Sequence, residues 1–450
     1  MRTRAFMIFV AMLAIAIAVP AADEECQVVG VLDPCSMALD LLYVGGYAPT
    51  SSVGLAQEEA AGREPYGFAF ATVPEYAEFF SFVAQGGLLR IVDIRKTEPV
   101  KTIDLASELD LPPLTLMRLH AAGPVNLEVN PTYPLYATGT QEGAPWLWIL
   151  DQEKLLGQPS GWSSALLASV PLSAGYESYS GIGVDVAVGG TTVEGGIQEA
   201  YVSALHWVDG SYRLQIYRVV VYTDLSVSVF LDSSNDEGVP VSGSAILVNG
   251  LDFDGGGTIP FGVFQTTAVV RNLSTGADAC TLPGDPNDVT VWGPAPEEMD
   301  HSHFLFATSS SPEGVGRLLG YPAGECPDGG LASLEISYAG HPRALASSSD
   351  TSTSPWIYVA DREGKILAVN VAIGSTLDGD RIDVLEVLDI PVSGGCPWEV
   401  AIRDESYFEC ELIPLLPDPG GPSLDCDGED ADDPRCDEDK PTHIDDPNEP

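Results

Sequence analysis

Two histidines form the sharpest local cluster of metal-ligating side chains in the sequence. His301 and His303 precede the predicted strand 304–308. Residues i and i+2 of a strand share a face, so both imidazoles could meet one metal ion. Acidic residues lie just upstream, at Glu297, Glu298 and Asp300. Because no third ligand stands at a fixed spacing, the pattern favours a polar loop that enters a strand over a metal site.

An Asp-rich segment near the C-terminus offers oxygen ligands to a hard cation such as Ca²⁺. The candidate ligands are Asp425, Asp427, Glu429 and Asp432. Alternating carboxylates around a glycine suit Ca²⁺ coordination, but the glutamate that closes an EF-hand loop at its twelfth position is replaced by Cys436. The segment therefore favours a solvated tail, with Ca²⁺ as the one cofactor that the sequence suggests.

The common motifs of nucleophilic and nucleotide chemistry do not occur in the sequence. There is no G-x-S-x-G elbow, no P-loop and no G-x-G-x-x-G turn after a predicted strand. A Ser-His-Asp triad stays open as an alternative, because its members need not be adjacent in sequence. Nothing in the spacing of the histidines points to one, so the sequence favours a protein that is not an enzyme.

The first 22 residues have the three parts of a secretory signal peptide. Arg2 and Arg4 give a positive start, 6–19 is an uncharged apolar run, and small residues follow. A spanning helix needs about 20 apolar residues, so an uncleaved anchor is the less favoured alternative. We expect a mature chain without a transmembrane segment that is secreted, periplasmic or held at a bacterial cell surface.

The composition is strongly acidic: 66 Asp and Glu oppose 20 Lys and Arg among 450 residues, for a formal net charge of −46. Such a body repels nucleic acid and anionic membrane surfaces, so neither is an expected partner. The hydrophobic fraction of 45% is too high for a disordered chain. We expect a monomer that binds a protein or a cell-envelope component, although the acidity could also reflect a salty habitat.

Eight cysteines in an exported chain favour disulfides over metal thiolates. They are Cys26, Cys35, Cys280, Cys326, Cys396, Cys410, Cys426 and Cys436. Pairing between sequence neighbours is the simplest scheme, but eight cysteines allow 105 connectivities.

Short strands must position any site, because long segments with helical periodicity are absent. A turn residue followed by an alternating strand recurs at 65, 124, 181, 242, 286, 342 and 397. Four strands can be traced in the first repeat, at 68–71, 79–84, 88–94 and 100–105, and four in the sixth, at 343–347, 356–360, 365–371 and 382–390. A lone four-stranded blade exposes both faces, whereas a ring of blades buries them. The repeats therefore predict an all-β propeller.

Five short motifs resemble strands of YVTN/YncE-type, lactonase-like seven-bladed β-propellers. The motifs are LYVGG at Leu42–Gly46, LLRIVDI at Leu88–Ile94, LYATG at Leu135–Gly139, IYVAD at Ile357–Asp361 and KILAVNV at Lys365–Val371. The resemblance covers about 41–413 and implies seven four-stranded antiparallel blades. Six or eight blades stay open, because the third and fourth repeats carry long Gly-rich loops.

The seventh repeat offers only two strands, near 398–403 and 407–412, before prolines end it. Strand-like runs at 41–46 and 53–57 could complete this blade from the other end of the chain, which would remove an open edge. We expect a signal peptide at 1–22, a Cys-containing segment at 23–40, the propeller at 41–413 and an acidic, Pro-rich disordered tail at 414–450.

Polar residues early in each repeat are expected to line the central channel. They are Asn126, Glu128, Asp185, Asn287, Asp288, His341, Arg343, Glu399 and Arg403. In the lactonase-like family such side chains hold a divalent metal, so the resemblance implies a hydrolase that uses channel carboxylates. A solvated channel is favoured over that metal site, because a fold alone does not imply a function.

The interpretation that the sequence favours is a secreted or surface-associated, non-catalytic propeller that acts as a scaffold or binding module. A divalent-metal-dependent hydrolase is one alternative. A Ca²⁺-dependent adhesion or matrix protein, which would use the acidic tail, is the other.

Overall fold

The computed structural model describes most of the chain between Val28 and Arg403. The described residues are 28–43, 49–55, 63–77, 79–125, 131–157, 161–173, 180–191, 197–208, 211–232, 251–253, 260–264, 268–273, 276–292, 304–321, 333–347, 356–376, 379–392 and 394–403. Contacts divide the chain into two units, Met1–Phe408 and Glu409–Pro450, and all described residues belong to the first. The predicted tail and signal peptide lie outside the described residues.

Short apolar runs form strands that assemble into seven four-stranded sheets. The first strands of the chain are β1 (Val28–Asp33), β2 (Ala38–Tyr43) and β3 (Pro49–Gly54). Blade 1 contains β4 (Pro65–Phe70), β5 (Phe80–Gln85), β6 (Leu88–Asp93) and β7 (Lys101–Asp104). Blade 2 contains β8 (Leu114–Ala121), β9 (Pro134–Gln141), β10 (Ala144–Asp151) and β11 (Leu166–Pro171). Blade 3 contains β12 (Ser180–Thr191), β13 (Gln198–Val208), β14 (Ser211–Val221) and β15 (Val227–Leu231).

The second half of the chain repeats this order. Blade 4 contains β16 (Leu251–Phe253), β17 (Pro260–Phe264), β18 (Val269–Asn272) and β19 (Ala277–Thr281). Blade 5 contains β20 (Asp285–Trp292), β21 (Phe304–Ser310), β22 (Val315–Tyr321) and β23 (Leu334–Ala339). Blade 6 contains β24 (Pro342–Ser347), β25 (Trp356–Asp361), β26 (Lys365–Thr376) and β27 (Gly379–Pro391). Blade 7 contains β28 (Glu399–Arg403) together with β1, β2 and β3.

The blades form a closed ring. The inner strands touch in the order β4, β8, β12, β16, β20, β24 and β28, and β28 touches β4 again. Each blade is antiparallel, so the chain is an all-β, seven-bladed propeller, as the repeats predicted. The described helical segments are short: α1 (Leu105–Glu108), α2 (Gln152–Gly157) and a 3₁₀ turn at Trp162–Ala165. None of the described helices has the length and apolarity needed to cross a bilayer.

The hydrophobic core is divided among the seven interfaces between neighbouring blades. In β1, Val28 and Leu32 pack toward blade 1, whereas Val29 and Val31 pack toward blade 6. Alternate residues of a strand point to opposite faces, and here both faces are buried. This explains why β1 is buried along its whole length and why residues 28–32 carry no polar side chain.

Strands from both ends of the chain close the ring within blade 7. β28 pairs with β1 from Leu32↔Glu399 to Val28↔Arg403, and the Trp398 N–H donates to the carbonyl of Leu32 at 2.8 Å. The predicted sharing of the last blade is confirmed, but the N-terminal end supplies three of its strands. β1 lies within 23–40, a segment that was expected to precede the propeller, so the propeller begins earlier than predicted. The predicted strand 407–412 lies outside the described residues.

A disulfide between Cys35 and Cys396 fastens this junction, across 361 residues of sequence. The expected pairing of sequence neighbours is therefore wrong for these two cysteines, because ring closure brings the chain ends together in space. Cys280 is also disulfide-bonded. Cys26, Cys326, Cys410, Cys426 and Cys436 lie outside the described residues.

The inner strand of blade 2 differs from its prediction. The repeat at Pro124 was expected to supply it, but β8 does so, and Val125 makes only an isolated bridge to Thr132. The sequence of β8, LTLMRLHA, carries Arg118 and His120 among apolar residues. Both residues line a cavity in the channel instead of packing in the core. They interrupt the apolar alternation of the strand, and for this reason the sequence did not predict it.

Candidate functional site

β-Bulges near the start of five inner strands align one residue of each blade. The register shifts between Pro65 and Gly67, Leu116 and Arg118, Gly183 and Asp185, Pro286 and Asp288, and Pro342 and Ala344. A bulge inserts one extra residue and re-aims the side chains that follow it. The residues just after the bulges therefore occupy equivalent positions in blades 1, 2, 3, 5 and 6.

Glu399 takes the same position in blade 7. Glu399 pairs with Leu32, the next-to-last residue of β1. In blade 6, Ala344 likewise pairs with Ala360, the next-to-last residue of β25. Four of these six equivalent positions are charged: Arg118, Asp185, Asp288 and Glu399. We call these four residues the ionic floor.

Arg118 is the single cation of the ionic floor. Its Nη1 lies 2.7 Å from Oε1 of Glu399, and its Nε lies 3.6 Å from Oδ1 of Asp185. Gly67, the equivalent residue of blade 1, belongs to the blade between those that carry Arg118 and Glu399. A Cβ at Gly67 would lie 2.9 Å from the Cα of Arg118, so only glycine leaves room for the neighbouring strand.

The carboxylates also hold neighbouring backbones together. Asp288 accepts the N–H of Val289 at 2.8 Å and, from the next blade, that of Leu345 at 2.6 Å. Glu399 accepts the N–H of Phe68 from blade 1 at 2.8 Å. In both cases the equivalent residue of the next blade is small, Ala344 or Gly67, so the carboxylate can reach past it.

A cavity of about 470 Å³ opens above the ionic floor. Its walls include the apolar side chains of Phe68, Phe70 and Leu119. Polar lining residues are Thr72, His120, Thr290, Ser347 and Arg403. In β8, β20, β24 and β28 the residues that line the cavity start at the position just after the bulge, or at its equivalent, and continue toward the C-terminal end of the strand. The four residues of the ionic floor therefore form one end of the cavity.

Burial in this channel shifts the titration of the floor. Burial alone would lower the pKa of Arg118, but the charges of Glu399, Asp185 and Asp288 outweigh it and hold that pKa above its usual range. Burial raises the pKa of Asp288 well above its usual value, against the attraction of Arg118. Burial likewise raises the pKa of Glu399 to about 7. Burial therefore opposes ionisation of both carboxyl groups, and a pKa of about 7 leaves Glu399 about half protonated at neutral pH.

A neutral histidine lines the same cavity. Burial lowers the pKa of His120 to about 4, so its imidazole carries no charge at neutral pH. It can donate or accept one hydrogen bond at each ring nitrogen, depending on the tautomer.

The structure brings together three of the residues that the sequence proposed for the channel, Asp185, Asp288 and Glu399, and Arg403 lines the same cavity. Asn287 instead donates to the carbonyl of Asp285 and to Ser310 Oγ. Arg343 stacks on Trp398, and His341 ends the preceding turn, where its carbonyl accepts from Arg362. The proposed residues outside the described part of the chain are Asn126, Glu128, His301, His303, Asp425, Asp427, Glu429 and Asp432.

Sequence reasoning missed Arg118, the residue that connects two of the carboxylates. A signal for it exists: a lone arginine within an otherwise apolar strand needs a buried partner. Asp185, Asp288 and Glu399 each lie early in a repeat, and an arginine among such acids would complete the set.

Asp33, Cys35 and Cys396 form one further group of metal-ligating side chains among the described residues. The two sulfurs are bonded to each other. Asp33 accepts the N–H of Cys35 at 2.9 Å and that of Cys396 at 3.1 Å. The group therefore fastens the ring and is not a metal site.

The chain matches no protein-family model. It also matches no curated protein. Among solved structures it is similar to apo AztD from Citrobacter koseri, with 12% identity over 84% of this chain and 98% of that chain, at a TM-score of 0.43. It is also similar to BBS1N in complex with ARL6DN, with 14% identity over 81% of this chain and 88% of that one, at a TM-score of 0.45. The assignment of the fold rests on the seven sheets and the ring that their inner strands form.

Proposed function

We propose that the chain is an exported, non-catalytic binding module that takes a cationic group of its ligand into the channel cavity. The observation that carries this is the imbalance of the ionic floor, where three carboxyl groups face one guanidinium at the end of a cavity of about 470 Å³. That volume lies in the range of small-ligand pockets. A protein or cell-envelope component that presents an amine is the expected partner.

The ligand's positive charge would take the place of a proton. Burial, aided by the charge of Asp185, raises the pKa of Asp288 and so opposes its ionisation, and burial raises the pKa of Glu399 to about 7. A cation beside these carboxyl groups reverses that preference, because an opposite charge favours the ionised carboxyl. Binding should therefore release protons and strengthen as pH rises.

Export is supported by the leader at 1–22 and by the Cys35–Cys396 disulfide, since disulfides persist in oxidising compartments. Mass spectrometry of the protein produced with its leader in a secreting host tests this step. Loss of about the first 22 residues and recovery outside the cytoplasm support export, whereas a full-length cytoplasmic chain contradicts it.

The metal-dependent hydrolase that the family resemblance implied is the weaker candidate. A divalent cation needs several carboxylate oxygens as ligands. Asp288 and Glu399 instead accept backbone N–H groups, which leaves fewer carboxylate oxygens for a metal ion. The adhesion alternative depends on the acidic tail, which lies outside the described residues.

Calorimetric titration with n-butylammonium at pH 6 and pH 8 tests the binding proposal. We expect tighter binding at pH 8, and a loss of about ten-fold in affinity for Asp288→Asn. Asp383→Asn, an exposed carboxylate on β27, is the matched control and should bind like the parent chain. Absence of amine binding at both pH values, together with EDTA-sensitive stabilisation by Ca²⁺ or Mn²⁺ that needs Asp288, would favour the metal site instead.

A further inference from the structure

Arg343 lies in a stack of three side chains from successive blades. Its guanidinium carbon is 3.3 Å from the centre of the Trp398 ring, and the Trp398 ring meets that of Tyr66 edge-on at 5.2 Å. Arg343 and Tyr66 are the extra residues of the bulges in β24 and β4. Trp398 directly precedes Glu399, so all three residues lie one step ahead of the aligned positions in blades 6, 7 and 1.

This stack is separate from the channel cavity. The cavity is lined by residues that follow the stack along each strand, from Ala344 in β24, from Glu399 in β28 and from Phe68 in β4. Arg343, Trp398 and Tyr66 are not among the lining residues. The stack is therefore on the side of the ionic floor where the inner strands begin.

Arg343 is buried but has no carboxylate partner among the described residues. Its exposed fraction is 8%. Burial, together with the positive charges of Arg362 and Arg118, lowers its pKa to about 9, and the interaction with Tyr66 acts in the opposite direction. The nearby Glu64 accepts a hydrogen bond from that hydroxyl instead. In a chain with 66 acidic and 20 basic residues, a buried arginine without an acid is unexpected.

A second arginine shows what this environment lacks. The guanidinium of Arg95 lies 3.7 Å from the centre of the Phe79 ring, so it is stacked in the same way. Its edge is occupied by Asp93, with Nε to Oδ1 at 2.8 Å and Nη2 to Oδ2 at 2.7 Å. Arg343 has the aromatic partner, but in the described part of the chain no carboxylate forms a bidentate contact with it. Stacking leaves the edge of a guanidinium free, and that edge matches two carboxylate oxygens.

We propose that Arg343, stacked on Trp398 and Tyr66, binds a carboxylate group supplied by a ligand. The ligand takes the role that Asp93 has beside Arg95. A singly charged carboxylate fits better than a phosphate dianion, because a chain of net charge −46 repels a dianion more strongly. The half-buried rings of Trp398 and Tyr66 provide a flat apolar wall beside the charged edge, so an aromatic or planar carboxylate is the preferred class. This site is independent of the proposed amine site.

¹⁹F NMR of the full chain labelled with 5-fluorotryptophan tests the proposal, with the Trp398 signal assigned from Trp398→Phe. Sodium benzoate is the probe, and inorganic phosphate and n-butylammonium are titrated separately at constant ionic strength. We expect benzoate to shift the Trp398 signal saturably. Arg343→Gln should weaken benzoate binding about ten-fold or more, and Arg343→Lys should weaken it less. Arg95→Gln is the matched control and should leave binding unchanged.

Thermal melting of each variant shows whether it is folded, and Arg343→Lys serves as the test if Arg343→Gln does not fold. The proposal is overturned if benzoate fails to move the Trp398 signal, if Arg343→Gln and Arg343→Lys bind benzoate as the parent does, or if phosphate binds more tightly than benzoate.

Discussion

Cys35 and Cys396 are 361 residues apart in the sequence, yet their Cα atoms lie 5.6 Å apart and their sulfurs are bonded. The bond joins the turn after β1 to the segment that precedes β28. Asp33, which is fully buried, supports the same junction by accepting N–H groups from Cys35, Ser36 and Cys396. The two ends of the ring are thus held by a covalent bond, by one buried carboxylate and by strand pairing.

Opening this disulfide should destabilise the ring as a whole. Removing a disulfide that closes a long loop increases the conformational entropy of the unfolded state. The resulting loss in the free energy of unfolding is about 2–5 kcal/mol. Cys35→Ser combined with Cys396→Ser should lower the free energy of unfolding by this amount in urea denaturation. If the double variant unfolds at the same urea concentration as the parent, strand pairing alone closes the ring.

Asp33→Asn tests how much the Asp33 carboxylate contributes to stability apart from the Cys35–Cys396 disulfide. An amide oxygen can still accept from Cys35 and Ser36, but its NH₂ group would face the N–H of Cys396, which now meets Oδ2 at 3.1 Å. We expect a loss of about 1–3 kcal/mol in the same measurement, because a buried donor is left unpaired. An equal effect of Asp33→Asn in the parent and in the double cysteine variant would show that the Asp33 hydrogen bonds and the disulfide stabilise the ring independently.

The sequence predicted best the blades whose apolar alternation is uninterrupted. The four strands of blade 1 were expected at 68–71, 79–84, 88–94 and 100–105, and they lie within three residues of those bounds. Asp185, Asp288 and Glu399 were predicted to line the channel because each is a polar residue early in a repeat, and all three line the cavity. Blade 2 was misread at its inner strand, where Arg118 and His120 face the channel cavity.

Other features could not be read from the sequence for physical reasons. The Cys35–Cys396 pair depends on ring closure, which brings together residues that no local spacing relates. The alignment of Arg118 with Asp185 and Glu399 depends on bulges, and a bulge shifts the register without a distinctive residue type. The stack of Arg343 on Trp398 and Tyr66 joins three blades, so it is visible only when the positions of neighbouring blades are known.

Gly67→Ala should displace the backbone of β8 at Arg118 and so disturb the ionic floor. The added Cβ would lie 2.9 Å from the Cα of Arg118 and 2.9 Å from the N of Leu119, and backbone atoms cannot move aside as a flexible side chain can. We expect a loss of about 1–3 kcal/mol in the free energy of unfolding. Gly123→Ala is the control, because nothing lies within 4 Å of its added Cβ. Equal stabilities of the two variants would contradict the close approach of β4 and β8.

Arg118→Gln should be among the most damaging single changes in the channel. It leaves three buried carboxyl groups without their cation, and breaking a buried ion pair in this way costs about 3–5 kcal/mol. Adding Glu399→Gln should recover part of the loss, because it removes the carboxylate that Arg118 contacts at 2.7 Å. Arg218→Gln, which breaks the exposed pair with Glu199, should change stability by less than about 1 kcal/mol. Urea denaturation of the parent and the three variants checks the ranking, and a double variant no more stable than Arg118→Gln alone would contradict the pairing.

Glu399 should make the folded protein less stable as pH rises from about 4.5 to about 7. Burial raises its pKa from the model-compound value of 4.5 to about 7, so the folded state holds a proton that the unfolded state has lost. The stabilisation is complete below the unfolded pKa and declines through this window, by about 3 kcal/mol.

His120 acts oppositely, because burial lowers its pKa to about 4 and disfavours the folded state as pH falls. The measurement is therefore the difference in unfolding free energy between the parent chain and Glu399→Gln at pH 5 and pH 8. We expect that difference to change with pH in favour of Glu399→Gln at pH 8, and a pH-independent difference would show that Glu399 titrates alike in both states.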